Sequence, residues 1–280
     1  MAVVAPHPVL RVVSPLRWAG GKRWLLPTIK MLVGTRQFSA YHEPFLGGAS
    51  VFLGLRQFRK AYLRDSNAEL IATYRAIRDH YAEVAARVLL YGNDSETYYA
   101  VRASVPEDKV EQAARFLYLN HTSFNGIYRV NLEGVYNVPF GNRPSPQIPT
   151  AEHLRDVAKR LIRARLETGD FAKCLKHVNK GDLVFLDPPY TVAHNHNGFI
   201  KYNQRLFSFD DQKRLSALIG EIKERDAHYI LANAAHASIA DLFDNGDILI
   251  ETSRRNSIGG INAARGSATE YLFTNLELPR

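Results

Sequence analysis

Apolar residues fall along this chain in two alternating patterns. Short apolar or β-branched runs stop abruptly at polar or turn residues over Tyr41–Glu43, Ala61–Arg64, Gly181–Leu186, Tyr229–Asn233, Asp247–Glu251 and Glu270–Thr274, which predicts buried strands. Longer stretches, Ser50–Phe58, Ala68–Arg78, His153–Ile162 and Asp210–Glu224, place apolar residues about every 3.6 positions and predict helices. Strands alternating with helices point to an α/β fold around a mostly parallel sheet. From about Ile71 to Thr150 that rhythm breaks. The stretch is helix-rich and then runs through HTSFNGIYRVNLEGVYNVPFGNRPSPQIP, dense in Gly, Asn, Pro and aromatics, so an inserted lobe with a hairpin-like loop is predicted. The expected division is a core of residues 1–70 and 151–280 with a lobe of residues 71–150 set into it.

Composition narrows the partners. At 280 residues and 46% apolar content the chain can bury a large core and a smaller lobe. Lys and Arg number 36 against 28 Asp and Glu, a net charge of +8 that favours a polyanionic partner. A single cysteine, Cys174, excludes an internal disulfide and any multi-thiolate metal or iron–sulfur site, and points to a reducing, cytoplasmic setting. The opening MAVVAPHPVLRVVSPLRW carries Pro and Arg where a signal peptide needs an unbroken apolar stretch. No apolar run approaches membrane-spanning length, so a soluble protein is expected.

Candidate chemistry concentrates in three turns. In GDLVFLDPPY, Gly181 to Tyr190, a buried strand delivers an acid, two prolines and an aromatic to its carboxyl end, where open α/β sheets place ligands. Asp187 and the Pro188 carbonyl can each accept one N–H of an aromatic amine, with Pro189 stiffening the turn. Tyr190 offers a flat face to an unstacked base. The alternative is an ordinary strand followed by a Pro-Pro turn. The second turn, YHEPFLGGAS, sets Gly47 and Gly48 between a strand and a helix, so the backbone can approach a ligand closely. Asp65, about twenty positions on, stands where nucleoside-binding α/β folds hold ribose hydroxyls. With Ser66 and Asn67 it reads equally as a helix cap. In the third turn, LRWAGGK, the first glycine of a phosphate loop would fall at Leu16, and Arg23 replaces the Ser or Thr after Lys22, which argues against a nucleoside triphosphatase. Trp18 beside paired glycines suits packing on an adenosyl group while Lys22 meets a carboxylate.

PLRWAGGK, EPFLGGASVF, LRDSN, FLYLNHTSFNGIYRVN followed by YNVPFG, and DPPY occur in the order seen in the Dam-type family of DNA adenine N6-methyltransferases, which the chain resembles over nearly its whole length. The resemblance implies a Rossmann-like class I methyltransferase core, with a mostly parallel seven-stranded sheet containing one antiparallel strand. It also implies an inserted helical DNA-recognition lobe carrying a β-hairpin. S-adenosylmethionine would be contacted by Trp18, Lys22, Glu43, Phe45, Gly47, Asp65 and Asp187, while Asp187, Pro188, Pro189 and Tyr190 form the catalytic turn. Duplex DNA would meet a hairpin over Asn120 to Gly141. Asn120 lies at its base, Phe124 is a wedge in the base stack, and Asn125 faces the gap left by the extruded adenine. Ile127, Arg129 and Pro139 fall where members that read GATC contact bases. An Arg can bind guanine O6 and N7 bidentately, and an aromatic wedge offsets lost stacking. His121 departs from the pattern, standing where an Arg is usual, which implies a weaker or pH-sensitive phosphate contact there.

Arg254 and Arg255, with Asn256 and Arg265 in a Gly-rich stretch, suit phosphate contacts or a solvated basic loop. TVAHNHNGFIKYNQ, following DPPY, reads as a lid closed by Phe199 and Tyr202 rather than a metal site, because His194 and His196 alone supply too few ligands. No metal and no covalent intermediate are expected, and a monomer in solution is. Such an enzyme serves restriction–modification or the marking of DNA for replication and repair. Asp187 points to adenine N6, since Ser is common at that position for cytosine N4. Cytosine N4 transfer, protein amide methylation and an inactive DNA-binding relative stand as alternatives.

Overall fold

The computed structural model describes residues 12–131, 133–190, 207–255 and 267–278. The chain divides into two compact units: Trp24–Leu46, Arg56–Ile71 and Arg163–Arg280 form a sheet unit, and Met1–Arg23, Gly47–Leu55 and Ala72–Ile162 form a helical unit.

The sheet unit contains β1 (Tyr41–Glu43), β2 (Ala61–Asp65), β3 (Ala164–Thr168), β4 (Leu183–Leu186), β5 (His228–Ala234), β6 (Ile248–Arg255) and β7 (Ser267–Thr274). They form one seven-stranded sheet in the order β3-β2-β1-β4-β5-β7-β6. All neighbours from β3 to β5 are parallel, and β7 runs antiparallel to both β5 and β6. This is the Rossmann-like sheet with one reversed strand that the motifs imply. Tyr41 pairs with Ala61 on one side and Leu183 on the other, so Glu43, Asp65 and Asp187 fall at the same carboxyl edge of three adjacent strands. Every residue of β4 is buried, as a strand covered on both faces requires. The helix Phe209–Glu224 lays Leu215, Leu218, Ile219 and Ile222 over the core that Val184, Leu186, Tyr229 and Leu231 share. It starts at a capping box between Ser208 and Asp211.

The strand β3 has no counterpart among the six predicted runs. It is an edge strand with alternating burial, and Arg165 and Glu167 occupy positions that a central strand would fill with apolar residues. The helix Leu26–Val33 is likewise additional. The helix expected over Ser50–Phe58 stops at Gly54, where the Arg160 guanidinium takes the carbonyls of Phe52 (3.2 Å) and Leu55 (2.6 Å). The helix from Ala68 instead runs on to Val88 past a non-helical His80 (φ −141°, ψ 34°).

In the helical unit, Ser95–Ala103, Lys109–Thr122 and Ala151–Leu161 are each capped by a side chain, of Asp94, Asp108 and Thr150 respectively. The helical unit takes in Gly47–Leu55 and the helix Ala151–Leu161 as well as the lobe residues 72–150. Hydrogen bonds from His121 to the Pro15 carbonyl and from His153 to the Val13 carbonyl join the N-terminal segment to it.

Candidate active site

At the carboxyl edge of the sheet, β4 leads into a half-buried Asp187, a buried Pro188 and half-buried Pro189 and Tyr190. Glu43 ends β1 and is buried, and its Oε2 accepts a 2.8 Å hydrogen bond from the hydroxyl of fully buried Tyr41. Burial, then the charge and hydrogen bond of Glu43, then the charge of Asp187 hold the Tyr41 phenol well above its usual pKa. It therefore stays neutral and donates to Glu43. Asp65 ends β2 and accepts the Asn67 N–H (2.9 Å), while Asn67 Oδ1 accepts the Leu70 N–H (3.0 Å). Asn67 caps the following helix, and Asp65 shapes the turn before it. Phe45 stacks on Phe171 (5.2 Å, 26°) and meets Phe207 edge-on (5.6 Å, 79°), which makes it an apolar wall held by the core.

The helical unit holds Trp18, Lys22 and Gly47. Gly47 has φ 45°, and a Cβ there would stand 2.7 Å from Trp18 Nε1 and 2.8 Å from its Cδ1. The loop backbone and the indole thus meet at a distance only glycine permits. The Tyr74 hydroxyl fixes the Gly47 carbonyl at 3.1 Å. Lys22 is buried, with Nζ 3.0 Å from the Gly20 carbonyl.

The predicted hairpin is present, and among the described residues its pairing consists of isolated bridges, Ser123 with Phe140 and Val130 with Tyr136. Backbone bonds from Gly141 to Thr122 (2.8 Å), Phe124 to Pro139 (2.9 Å) and Asn137 to Arg129 (3.2 Å) hold the limbs together. Phe124 is 55% exposed at the turn, and Asn125 beside it takes a left-handed backbone (φ 57°). Arg129 and Pro139 are exposed, Ile127 is half-buried, and Arg129 Nε bonds Asn137 Oδ1 at 2.8 Å.

Two residues of this region face inward. Asn120 is buried, and its amide accepts the Arg17 N–H and donates to the Arg17 carbonyl, both at 2.8 Å. Its side chain holds the backbone of Arg17. His121 is also buried, 2.9 Å from the Pro15 carbonyl, which corrects the expectation of a phosphate contact. Because a carbonyl only accepts, Nε2 carries the proton. Burial is the main cause holding this imidazole below its usual pKa of 6.5. The unfolded chain therefore takes up the proton first as pH falls, so the contribution of His121 to stability is complete above pH 6.5 and is lost below it. Urea unfolding should show a loss of stability as pH falls from ~7.5 to ~5.5 that is smaller in His121→Gln. Equal losses in both proteins would contradict this assignment.

The predicted lid over residues 191–204, and Asn256 and Arg265, lie outside the described residues. Arg254 and Arg255 end β6, and only their backbone is described. Among the described residues no cluster of His, Cys, Asp or Glu could hold a metal ion, and no helix is long and apolar enough to cross a membrane. The sequence reading misses Tyr41, which looks like any strand residue, and Tyr128, whose ring stacks on Trp18. Only the aromatic density of the hairpin hints at the latter.

A family model described as D12 class N6 adenine-specific DNA methyltransferase matches residues 18–257. Type II methyltransferase M1.LlaDCHI of Lactococcus lactis subsp. cremoris is 33% identical over 270 residues, covering 92% of this chain and 94% of that protein. DNA adenine methylase of Escherichia coli K12 is 30% identical over 263 residues, covering 92% and 93%. Type II methyltransferase M.MjaIII of Methanocaldococcus jannaschii is 30% identical over 240 residues, covering 78% and 83%. A sheet of this order carrying an Asp-Pro-Pro-Tyr edge, matched along most of its length, places the chain in the D12 class of adenine-specific DNA methyltransferases.

Proposed function

We propose that this enzyme takes its methyl group from S-adenosylmethionine and delivers it to N6 of an adenine turned out of duplex DNA, within GATC. The observation that carries the reading is the shared strand edge, where Asp187 to Tyr190 follow β4 beside the buried Glu43 of β1. The residues fit the cofactor. In the sheet unit Glu43 and Asp65 are acceptors at adjacent strand ends and Phe45 is a rigid apolar wall; within the helical unit the Gly47 turn closes against Trp18. When bound, the sulfonium supplies an electrophilic methyl.

The chain's own task is to present the amine. The N6 lone pair is delocalised into the purine ring, so Asp187 and the Pro188 carbonyl each accept one N–H and draw that lone pair out of conjugation. Tyr190 supports the base by stacking. As N6 gains the methyl it gives up one proton to solvent, and the donor would leave as a neutral thioether. On the DNA side, exposed Phe124 fills the stack and Asn125 faces the vacated space. Ile127, Arg129 and Pro139 read bases, with Arg129 exchanging Asn137 for guanine. Arg254 and Arg255 add phosphate contacts. Incubation with tritiated S-adenosylmethionine and short duplexes should label adenine N6 in GATC-containing DNA and leave a permuted sequence unlabelled. Label on cytosine, equal label on both duplexes, or none would refute the proposal.

A further inference from the structure

We propose that Tyr128 is a positioning residue coupling occupancy of the cofactor site to affinity for duplex DNA, an inference that rests on the function proposed above. The Trp18 indole, already pressed against Gly47, stacks on the Tyr128 ring (5.7 Å, 22°). Tyr128 is wedged in turn against Phe116 (5.4 Å, 29°) and Tyr136 (5.7 Å, 58°), the latter from the opposite limb of the hairpin. A displacement of the indole therefore either carries Tyr128 with it or breaks the stack.

An independent strap runs alongside. Asn120 grips both backbone groups of Arg17, the residue before Trp18. Gly126 packs directly on the Arg17 side chain, with φ +63° and no room for a Cβ. The segment bearing Trp18 and the base of the hairpin thus move as one piece. Tyr128 is half-buried against Trp18, whereas Arg129 beside it is exposed. One ring contacts the cofactor wall while its two neighbours present the DNA-facing side. A ligand that immobilises Trp18 orders Tyr128 before DNA arrives, so the second binding event costs less entropy. Linkage makes the benefit equal in both directions.

The test uses S-adenosylhomocysteine, which has no methyl to transfer, and a short GATC duplex. Calorimetry gives the Kd of the first with and without the second, and fluorescence anisotropy gives the converse. The wild type should show the same coupling factor both ways, at least ~5-fold. In Tyr128→Ala, with Tyr128→Leu as a substitute should the Ala protein not fold, the factor should fall to within ~2-fold of unity. Tyr128→Phe keeps the ring and should keep the factor, a result that simple loosening of the hairpin does not predict. The proposal is overturned by a wild-type factor of one, by an unchanged factor in the Ala or Leu protein, or by its loss in the Phe protein. A wild type that binds both ligands and methylates DNA with a factor of one refutes the coupling alone. Failure to bind S-adenosylhomocysteine removes the function proposed above and this inference with it.

Discussion

Asp187→Ala should lower the single-turnover methylation rate by about 10²–10³-fold or more, while the duplex Kd stays within ~3-fold. The amine needs both acceptors at once, because each N–H left unbonded lets the lone pair return to the ring. Of the two, the Pro188 carbonyl belongs to the backbone and survives substitution. The carboxylate is the removable half, and its charge also offsets the positive charge that grows on nitrogen as the methyl arrives. Asp187→Asn retains an acceptor oxygen without the charge, so its rate should lie between those of the wild type and the Ala variant. Duplex affinity comes from phosphates and groove contacts elsewhere, and it should report only a small change. A rapid-quench measurement in which Asp187→Ala methylates within about tenfold of wild type would remove Asp187 from the role assigned to it.

The second large effect is expected at Gly47. With φ at 45° the position strains any other residue, and the Cβ of Gly47→Ala would meet Trp18 Nε1 at 2.7 Å. Either the indole leaves its place or the turn after Glu43 opens, and both move residues proposed to contact the cofactor. The collision removes cofactor contacts worth about 1–3 kcal/mol, which raises the cofactor Kd roughly 5- to 150-fold. Gly246→Ala is the matching control. It also has a positive φ of +79°, but a Cβ there meets nothing within 4 Å, so backbone strain arises without the collision. Calorimetry with S-adenosylmethionine should find the Gly246 variant close to wild type and the Gly47 variant far weaker. Equal behaviour of the two would show that the contact with Trp18 does not matter.

The amino-acid sequence by itself determined the central strands and the place of the Asp-Pro-Pro-Tyr turn. Leu183 to Leu186 must be apolar because the strand is covered on both faces, and Asp187 to Tyr190 are contiguous, so their chemistry can be read without knowing any distant partner. The glycine pair after Glu43 and the aromatic, Asn-rich hairpin are legible for the same reason. The tertiary structure alone decided what depends on residues far apart in the chain. The strand β3 forms at a half-covered edge and therefore carries charges that hide it. The interior positions of Asn120 and His121 follow from partners at Arg17 and Pro15, more than a hundred residues away. Local pattern fixes whether a residue can be buried or bent. Which polar group it then satisfies is set by long-range packing, because every buried donor and acceptor must find a partner wherever the fold provides one.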